Sequence, residues 1–535
     1  MKKLLIVVLF ATCPALFGQS RILRPNLALP TIAEANTTIE VIVEMPATAA
    51  KKAPGQVALV SRADASRSLV AAENLRPADA ADYALRFATF HKANQRYLLD
   101  VSLGNLAPGL YSLTLDIDGN EMTAHNAVSV VDSLDRDWKV LHISDTHIGY
   151  KNTLAEYEKV VRDANLLNPD FLVCTGDIAE SAKAEWYQDF VRVTRKLRVP
   201  IFVVDGNHDY YDDENLTLYQ RYVNPFPDYA AVFGNMLVIN VDTGYDLGFW
   251  QLWRCYGLDG AQLDWLEGVL SQHAEKTKLI GMHGPFYDAF TANKHGRDRF
   301  VDLCDRYDVD LVLAGHTHKD QVNDAWGDRK SGNLDPFDGP IFLQTTTSCK
   351  KAAVVFKHEN GTARQMEWRA DLESWAPVGD WVAFDEETRR EIAEQLPPEM
   401  RGKQQKALIT DHLGYRLIQI VDGEVGDYTA QKSNGRRDAE NSLETYERNF
   451  WGTDDPNLEV RLGNEEGRSS QSITIVNRHL ESFRDCRLYL TMEAGKNYQV
   501  TSGAASIVSQ HDGQVVVAVA ELPADRSIAI QVQAR

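Results

Sequence analysis

Val140-Leu-His-Ile-Ser-Asp-Thr-His147 decides how this chain is read. Val140 to Ser144 has the pattern of a short strand, and the polar triplet Asp145-Thr-His147 begins where it ends. The pattern recurs downstream. Asp170-Phe-Leu-Val-Cys-Thr175 runs into Gly176-Asp177, and Pro200-Ile-Phe-Val-Val204 runs into Asp205-Gly-Asn-His-Asp209. Lys278-Leu-Ile-Gly-Met282 leads to His283, and Val309-Asp-Leu-Val-Leu-Ala314 leads to Gly315-His-Thr-His318. Helical periodicity fills the gaps at Leu154–Leu167, at Leu258 onward (Leu263, Leu266 and Leu270 on one face) and at Phe300–Tyr307. Strands alternating with helices predict a layered α/β domain. Such folds bind ligands beyond the carboxyl ends of their strands, and every polar stretch falls at such an end.

Asp145, His147, Asp177, Asn207, His283, His316 and His318 together offer carboxylates, imidazoles and one amide oxygen. That mix suits a pair of divalent transition-metal ions (Mn, Fe or Zn) better than a structural role. A lone Asp-x-His triplet or Gly-Asp pair arises by chance, and a lone histidine is more often a core residue than a ligand. The ordered set, each member after a strand, is what carries weight. If these side chains converge, the chain is a metal-dependent hydrolase of phosphate esters.

These motifs resemble those of the calcineurin-like metallophosphoesterase superfamily, over roughly residues 138–360. His142-Ile-Ser-Asp-Thr-His-Ile-Gly149 is most similar to the bacterial cyclic-nucleotide phosphodiesterase and acid-sphingomyelinase-like branches. Two departures separate it from the purple acid phosphatases: Glu180 stands where they have a tyrosine, and Asp209 stands where they have a glutamate. The resemblance implies a central β-sandwich flanked by helices. It implies one ion on Asp145, His147, Asp177 and His318, and another on Asp177, Asn207, His283 and His316. A bridging Asp177 is reasonable, because a carboxylate has two oxygens. Residues two apart on an extended strand point to opposite faces, so Asp145 with His147, and His316 with His318, can both be ligands only where the chain bends. The glycines before Asp177, Asn207 and His316 give room to turn. His208 is expected to face the substrate, stabilising the phosphoryl group or protonating the leaving oxygen. Asp209 is expected to hydrogen-bond His208 and fix its tautomer, or else to serve as a turn or cap residue. The expected nucleophile is hydroxide generated at the metals. Ser144 and Thr146 lack a free base and are not attractive nucleophiles.

At 535 residues the chain is too long for one ordinary core. Residues 21–133 read as a β-sandwich of immunoglobulin type, with strands at Thr38–Glu44 and Leu110–Ile117. Residues 136–370 form the predicted metallophosphoesterase domain. Residues 371–440 read as a linker, with a helix at Asp385–Gln395 and a hairpin about Asp422-Gly423. Residues 441–535 return to strand pattern, a second immunoglobulin-like sandwich. Ile341–Thr345 and Ala353–Phe356 read as closing strands of the centre.

Lys2 and Lys3 precede the apolar run Leu4–Phe10 and then small residues, which reads as a signal peptide over 1–18. The expected location is therefore periplasmic or extracellular. Cys13 fits a lipidation pattern poorly, and no later segment has the length of a transmembrane span. The chain has six cysteines, with no Cys-x-x-Cys pair, so neither a disulfide scaffold nor a zinc ribbon is expected. A net charge of −20 disfavours a nucleic-acid polymer as partner. It does not disfavour a small phosphorylated substrate drawn to two divalent ions.

A phosphodiesterase is the first reading. A phosphomonoesterase would use the same metal core, and a cell-surface binding protein with a non-catalytic site is the reading from another class. Tyr210, Tyr211, Trp250, Trp253, Arg254, His295 and Arg297 are candidates for the cleft wall, though ordinary packing or exposure is the better account of each. The substrate-binding residues stay open at this stage.

Overall fold

The computed structural model describes residues 20–46, 56–78, 94–117, 119–244, 257–286, 295–318, 321–323, 341–345, 347–349, 413–425, 457–479 and 481–535, with the backbone of strands at 353–359, 362–369, 374–383, 406–410 and 445–447. In the centre, two sheets pack face to face. The first contains β1 (Trp138–Ile143), β2 (Phe171–Thr175) and β3 (Ile201–Val204), joined by α1 (Thr153–Leu167) and α2 (Ala184–Thr194). These strands are parallel, with Val140 opposite Phe171 and Leu172 opposite Ile201. After α3 (Thr217–Tyr222) the second sheet begins with β4 (Tyr229–Phe233) and β5 (Met236–Asn240). It continues through α4 (Gly260–Gln272), β6 (Thr277–Gly281), α5 (Arg297–Arg306), β7 (Leu311–Ala314), β8 (Gln321–Asn323) and β9 (Phe342–Gln344). Its strand order is β4-β5-β6-β7-β9-β8.

Apolar runs form these strands because both of their faces are buried, as parallel sheets require. Trp138, Val140, Phe171, Val173 and Phe202 face Phe233, Met236, Leu279, Leu311 and Leu313 across the space between the sheets. Leu141, Ile143, Leu172 and Cys174 face the other way, onto Tyr157 and Val160 of α1 and Phe190 of α2. Ile280 and Val312 turn outward onto Leu263 and Leu266 of α4 and Phe300 of α5. Helix α4 starts at a capping box: the Asp259 carboxylate accepts from the Gln262 N–H at 2.8 Å, and the Gln262 side chain accepts from the Asp259 N–H at 3.0 Å.

Two stretches are placed differently from expectation. The predicted hairpin forms as β10 (Gly414–Val421) and β11 (Glu424–Val425), with Asp422 and Gly423 at φ 52° and 83°. It is not an appendage, because β10 pairs antiparallel with β1 and sets Ile418 opposite Val140. A strand from the expected linker thus completes the first central sheet. Ala353–Glu359, expected to close the centre, pairs instead with Thr362–Arg369 and Lys406–Thr410 in a separate antiparallel sheet. The other expected strand, β9, does join the second sheet, parallel to β7, with β8 beyond it at the edge. The expected helix at 385–395 and the leader at 1–18 lie outside the described residues.

The flanking β-rich regions are both two-sheet structures. N-terminally, one sheet runs Arg21–Arg24, Thr38–Pro46, Asn94–Ser102, Ala72–Pro77, and a five-stranded sheet covers it across a shared core including Val41, Leu99, Leu113 and Leu115. Asn126 fixes this region to the centre: it is fully buried, and its side-chain N–H groups reach the carbonyls of Thr194 and Leu197 at the end of α2, at 3.3 and 3.2 Å. C-terminally, Leu488 and Leu490 join the hydrophobic cluster that includes Val160 of α1. Among the described residues, no helix is long and apolar enough to cross a membrane.

Candidate metal centre

Each motif begins within three residues of the end of a central strand. The ends of β1, β2 and β3 deliver Asp145, His147, Asp177 and Asn207, and those of β6 and β7 deliver His283, His316 and His318. All seven expected ligands come together. Asp177 lies between two groups of donors. Its Oδ2 is 3.4 Å from His147 Nε2, and that nitrogen is 3.1 Å from His318 Nε2. His318 Nε2 is in turn 3.1 Å from Asp145 Oδ1. On the other side, Asp177 Oδ1 is 3.2 Å from His283 Nε2. Asn207 Oδ1 lies 3.1 Å from His283 Nε2 and 3.0 Å from His316 Nδ1.

Donor atoms of Asp145, His147, Asp177 and His318 all lie within 4.8 Å of one another, a set that can hold an ion. Oxygen and nitrogen lone pairs crowded this closely repel unless a cation or proton sits among them. The mixed N/O set therefore fits divalent transition metals. Without ions, protons take up part of that role. Burial pulls the His283 imidazole down, but Asp177 and Asp145 outweigh it and raise its pKa to about 9. Burial pushes the Asp177 carboxyl up, and the facing His283 and His208 more than offset this, so it stays well below the usual range.

The local backbone explains how residues two apart can share a face. Asp145, His147, Asp177, His316 and His318 all have positive φ, between 44° and 73°. This left-handed region costs a non-glycine residue of order 1–3 kcal/mol. Five strained residues in one cage mark a site whose surroundings over-determine it. The glycines act in more than the expected way. Gly206 and Gly315 lack positive φ, and they serve close approach. A Cβ on Gly206 would sit 2.3 Å from the Asp177 N, and one on Gly315 would sit 1.9 Å from Ser144 Oγ.

His208 and Asp209 part company. Asp209 does not hold the His208 ring; it takes the other expected role, that of a cap and turn residue. Its fully buried carboxylate accepts from the backbone N–H groups of Gly206, Ile178 and Ala179 at 2.8, 3.1 and 3.2 Å, and from the Tyr187 hydroxyl at 3.1 Å. A carboxylate with two oxygens can tie several N–H groups at once, so Asp209 clamps the second-motif loop to the third. Burial, with Asp177 nearby, raises its pKa to about 7 against those three N–H bonds. His208 Nδ1 instead donates to the Glu180 carbonyl at 2.7 Å, and its Nε2 lies 4.0 Å from Asp177 Oδ2. Glu180 also brings a carboxylate oxygen 2.8 Å from His147 Nδ1. No positive signal in the residues pointed to that contact, because it depends on how two loops lie side by side.

The candidate wall residues divide. Tyr210 is buried and donates its hydroxyl to Asp242. Tyr211 is half-buried and lies against His208, with ring centroids 4.4 Å apart. Arg297 opens α5 and pairs with Asp298 at 2.9 Å, and the exposed His295 bridges to Gly257. Trp250, Trp253 and Arg254 lie outside the described residues.

A sequence profile of the calcineurin-like phosphoesterases matches residues 139–320, the span holding every residue of this cage. A probable glycerophosphodiester phosphodiesterase, GpdQ, of Arcobacter nitrofigilis is 30% identical over 210 residues, which cover 34% of this chain and 71% of that protein. The glycerophosphodiester phosphodiesterase GpdQ of Enterobacter lignolyticus is 30% identical over 198 residues, covering 33% of this chain and 69% of the relative. The 3',5'-cyclic adenosine monophosphate phosphodiesterase CpdA of Haemophilus influenzae is 26% identical over 215 residues, covering 35% and 72%.

Proposed function

This chain belongs to the calcineurin-like phosphoesterase family and is a hydrolase of phosphoric ester bonds, and we propose that its substrates are small phosphodiesters cleaved at a dinuclear metal site. The observation that carries this reading is Asp177, whose two oxygens face two different donor groups. One ion would rest on Asp145, His147, Asp177 and His318, the other on Asp177, Asn207, His283 and His316. When bound, such ions supply positive charge for the phosphoryl oxygens and lower the pKa of water enough to give hydroxide near neutral pH.

The chain's own residues do the rest. A carbonyl can only accept, so Glu180 fixes the proton of His208 on Nδ1 and leaves Nε2 to face the phosphoryl group. A second proton on Nε2 makes the ring an imidazolium, and in that form Nε2 donates to a phosphoryl oxygen or hands that proton to the leaving alkoxide, while the Nδ1 proton stays hydrogen-bonded to the Glu180 carbonyl. Asp209 acts at one remove, holding the loops that carry Asp177 and His208. Ser144 donates its hydroxyl to the Thr175 carbonyl at 3.2 Å, which fits a structural role better than a nucleophilic one. A monoanionic diester needs less charge neutralisation than a dianionic monoester, and relatives named as phosphodiesterases favour the same choice.

We read the terminal sandwiches as immunoglobulin-like. In support for the N-terminal one, the Tyr111 hydroxyl donates to the Ala107 carbonyl at 2.6 Å, a corner found in that fold. We also read residues 1–18 as a signal for export to the periplasm or beyond, with Lys2, Lys3 and the run Leu4–Phe10 as support. Hydrolysis of bis- and mono-p-nitrophenyl phosphate with and without Mn²⁺ tests the central proposal. The expected result is metal-dependent turnover favouring the diester, lost in Asp177→Asn. Turnover of the monoester alone would make the enzyme a phosphomonoesterase. No metal-stimulated turnover of either ester would overturn the proposal.

A further inference from the structure

We propose that Tyr211 is a positioning residue of the metal centre: its hydroxyl favours one orientation of the Asn207 carboxamide, and its ring braces His208. This deepens the reading above and rests on its assignment of Asn207 as a ligand. A carboxamide has two ends of nearly equal size, and only the oxygen can bind a cation. Rotated by half a turn, Asn207 would present an N–H₂ group to the ion in place of a lone pair. A fixed partner for the outward N–H₂ end therefore favours the orientation that binds an ion.

The geometry shows the ligand-facing orientation and its outward partner. Asn207 Oδ1 faces His283 Nε2 and His316 Nδ1, while Asn207 Nδ2 donates to the Tyr211 hydroxyl oxygen at 3.0 Å. The phenol accepts from an N–H₂ group in this arrangement. A phenol can also donate, so it would not reject a flipped amide by itself; what Tyr211 contributes is an acceptor for the outward N–H₂ of the form that turns Oδ1 to the cage, and without it that N–H₂ loses this partner. Tyr211 is itself held in place. It follows the short 3₁₀ turn Asn207–Tyr210, and its N–H donates to the His208 carbonyl at 3.2 Å while its carbonyl accepts from the Ala182 N–H at 2.8 Å. Its ring lies 4.4 Å from that of His208, tilted by 45°. His208 is thus held at one edge by the Glu180 carbonyl and on one face by Tyr211. The adjacent Tyr210 turns inward to Asp242, so the two tyrosines do different work.

Titration of the purified full chain with Mn²⁺ by calorimetry tests this. Tyr211→Phe keeps the ring and removes the hydroxyl. It should weaken one of two Mn²⁺ ions by on the order of 10- to 100-fold, the usual loss when a partner of a metal ligand is removed, and leave the other unchanged. In an Asn207→Asp background the same tyrosine change should cost little, because either carboxylate oxygen can serve as the ligand. Tyr211→Leu, which also removes the ring, should lower kcat for bis-p-nitrophenyl phosphate at saturating Mn²⁺ below that of Tyr211→Phe. Unaltered Mn²⁺ affinity in Tyr211→Phe, or equal losses in the Asn207 and Asn207→Asp backgrounds, would overturn the inference. The titration needs no substrate. A wild type that binds Mn²⁺ but turns over neither ester removes the phosphodiesterase reading alone, whereas unchanged affinity in Tyr211→Phe removes this inference alone.

Discussion

The two central sheets contribute unequal halves of the cage. The first sheet brings both carboxylates, Asp145 and Asp177, the amide Asn207 and one imidazole, His147. The second brings only imidazoles, His283, His316 and His318. Their means of support differ as well. In the first half the loops tie to each other: the N–H of Asp145 donates to the Gly176 carbonyl at 3.0 Å, and that of His147 to the Asp177 carbonyl at 2.9 Å, while Asp209 clamps the third loop to the second. The second half leans across the boundary between the sheets. His283 Nδ1 donates to the Thr175 carbonyl at 2.6 Å, and the His316 N–H reaches the Asp145 carboxylate at 3.1 Å. The first half is organised largely within its own sheet. The second is aligned only when the two sheets are packed.

That asymmetry can be broken at its centre. Asp177→Asn should abolish tight Mn²⁺ binding at both positions and remove phosphoesterase activity, a loss larger than the roughly 100-fold expected for a residue outside the candidate ligand set. His283→Ala should remove one ion and spare the other. Calorimetric titration distinguishes the two, and equal losses would contradict the shared role of Asp177. His208→Ala should leave Mn²⁺ affinity unchanged while lowering kcat by about 10²- to 10⁴-fold, the range for a lost general acid.

Effects on stability sharpen the comparison further. Phe171 is fully buried and its ring meets Trp138, Phe202 and Phe233 between the sheets. Phe171→Ala should cost about 3–5 kcal/mol in urea unfolding, and it should weaken Mn²⁺ binding although it touches no ligand. Asp209→Ala should cost about 1–3 kcal/mol by stranding buried N–H groups, with a smaller fall in kcat than His208→Ala. The smallest effect belongs to the N-terminal sandwich that caps α2. Burial, with Arg195 and Arg62 nearby, pushes the half-buried His125 down to about 4. Its unfolded form takes up a proton near pH 6.5, so between about pH 6.5 and 4 the unfolded state holds the extra proton and stability falls as pH falls. His125→Gln should flatten that part of the Tm-versus-pH curve, modestly because the ring is partly solvated.

The sequence by itself determined the strand–motif alternation and the donor types. Apolar runs such as Phe171–Cys174 can satisfy both faces only inside a layered sheet, and Asp, His and Asn carry their metal-ligand chemistry wherever they stand. Other features were hidden from it. The alternation in Tyr415–Val421 marked a strand, but nothing local told it to pair with β1, some 270 residues earlier. The Gly-Asn-His-Asp motif suggested that Asp209 would hold His208, yet the side chain points back to three backbone N–H groups, because a short 3₁₀ turn sets adjacent side chains in different directions. Tertiary structure also decided the left-handed φ of five candidate ligands, which a local sequence would avoid and which only the packed loops hold in place. Local chemistry fixes which atoms can bind a metal. Whether they meet depends on burial between two sheets distant in sequence, and no stretch of chain encodes that alone.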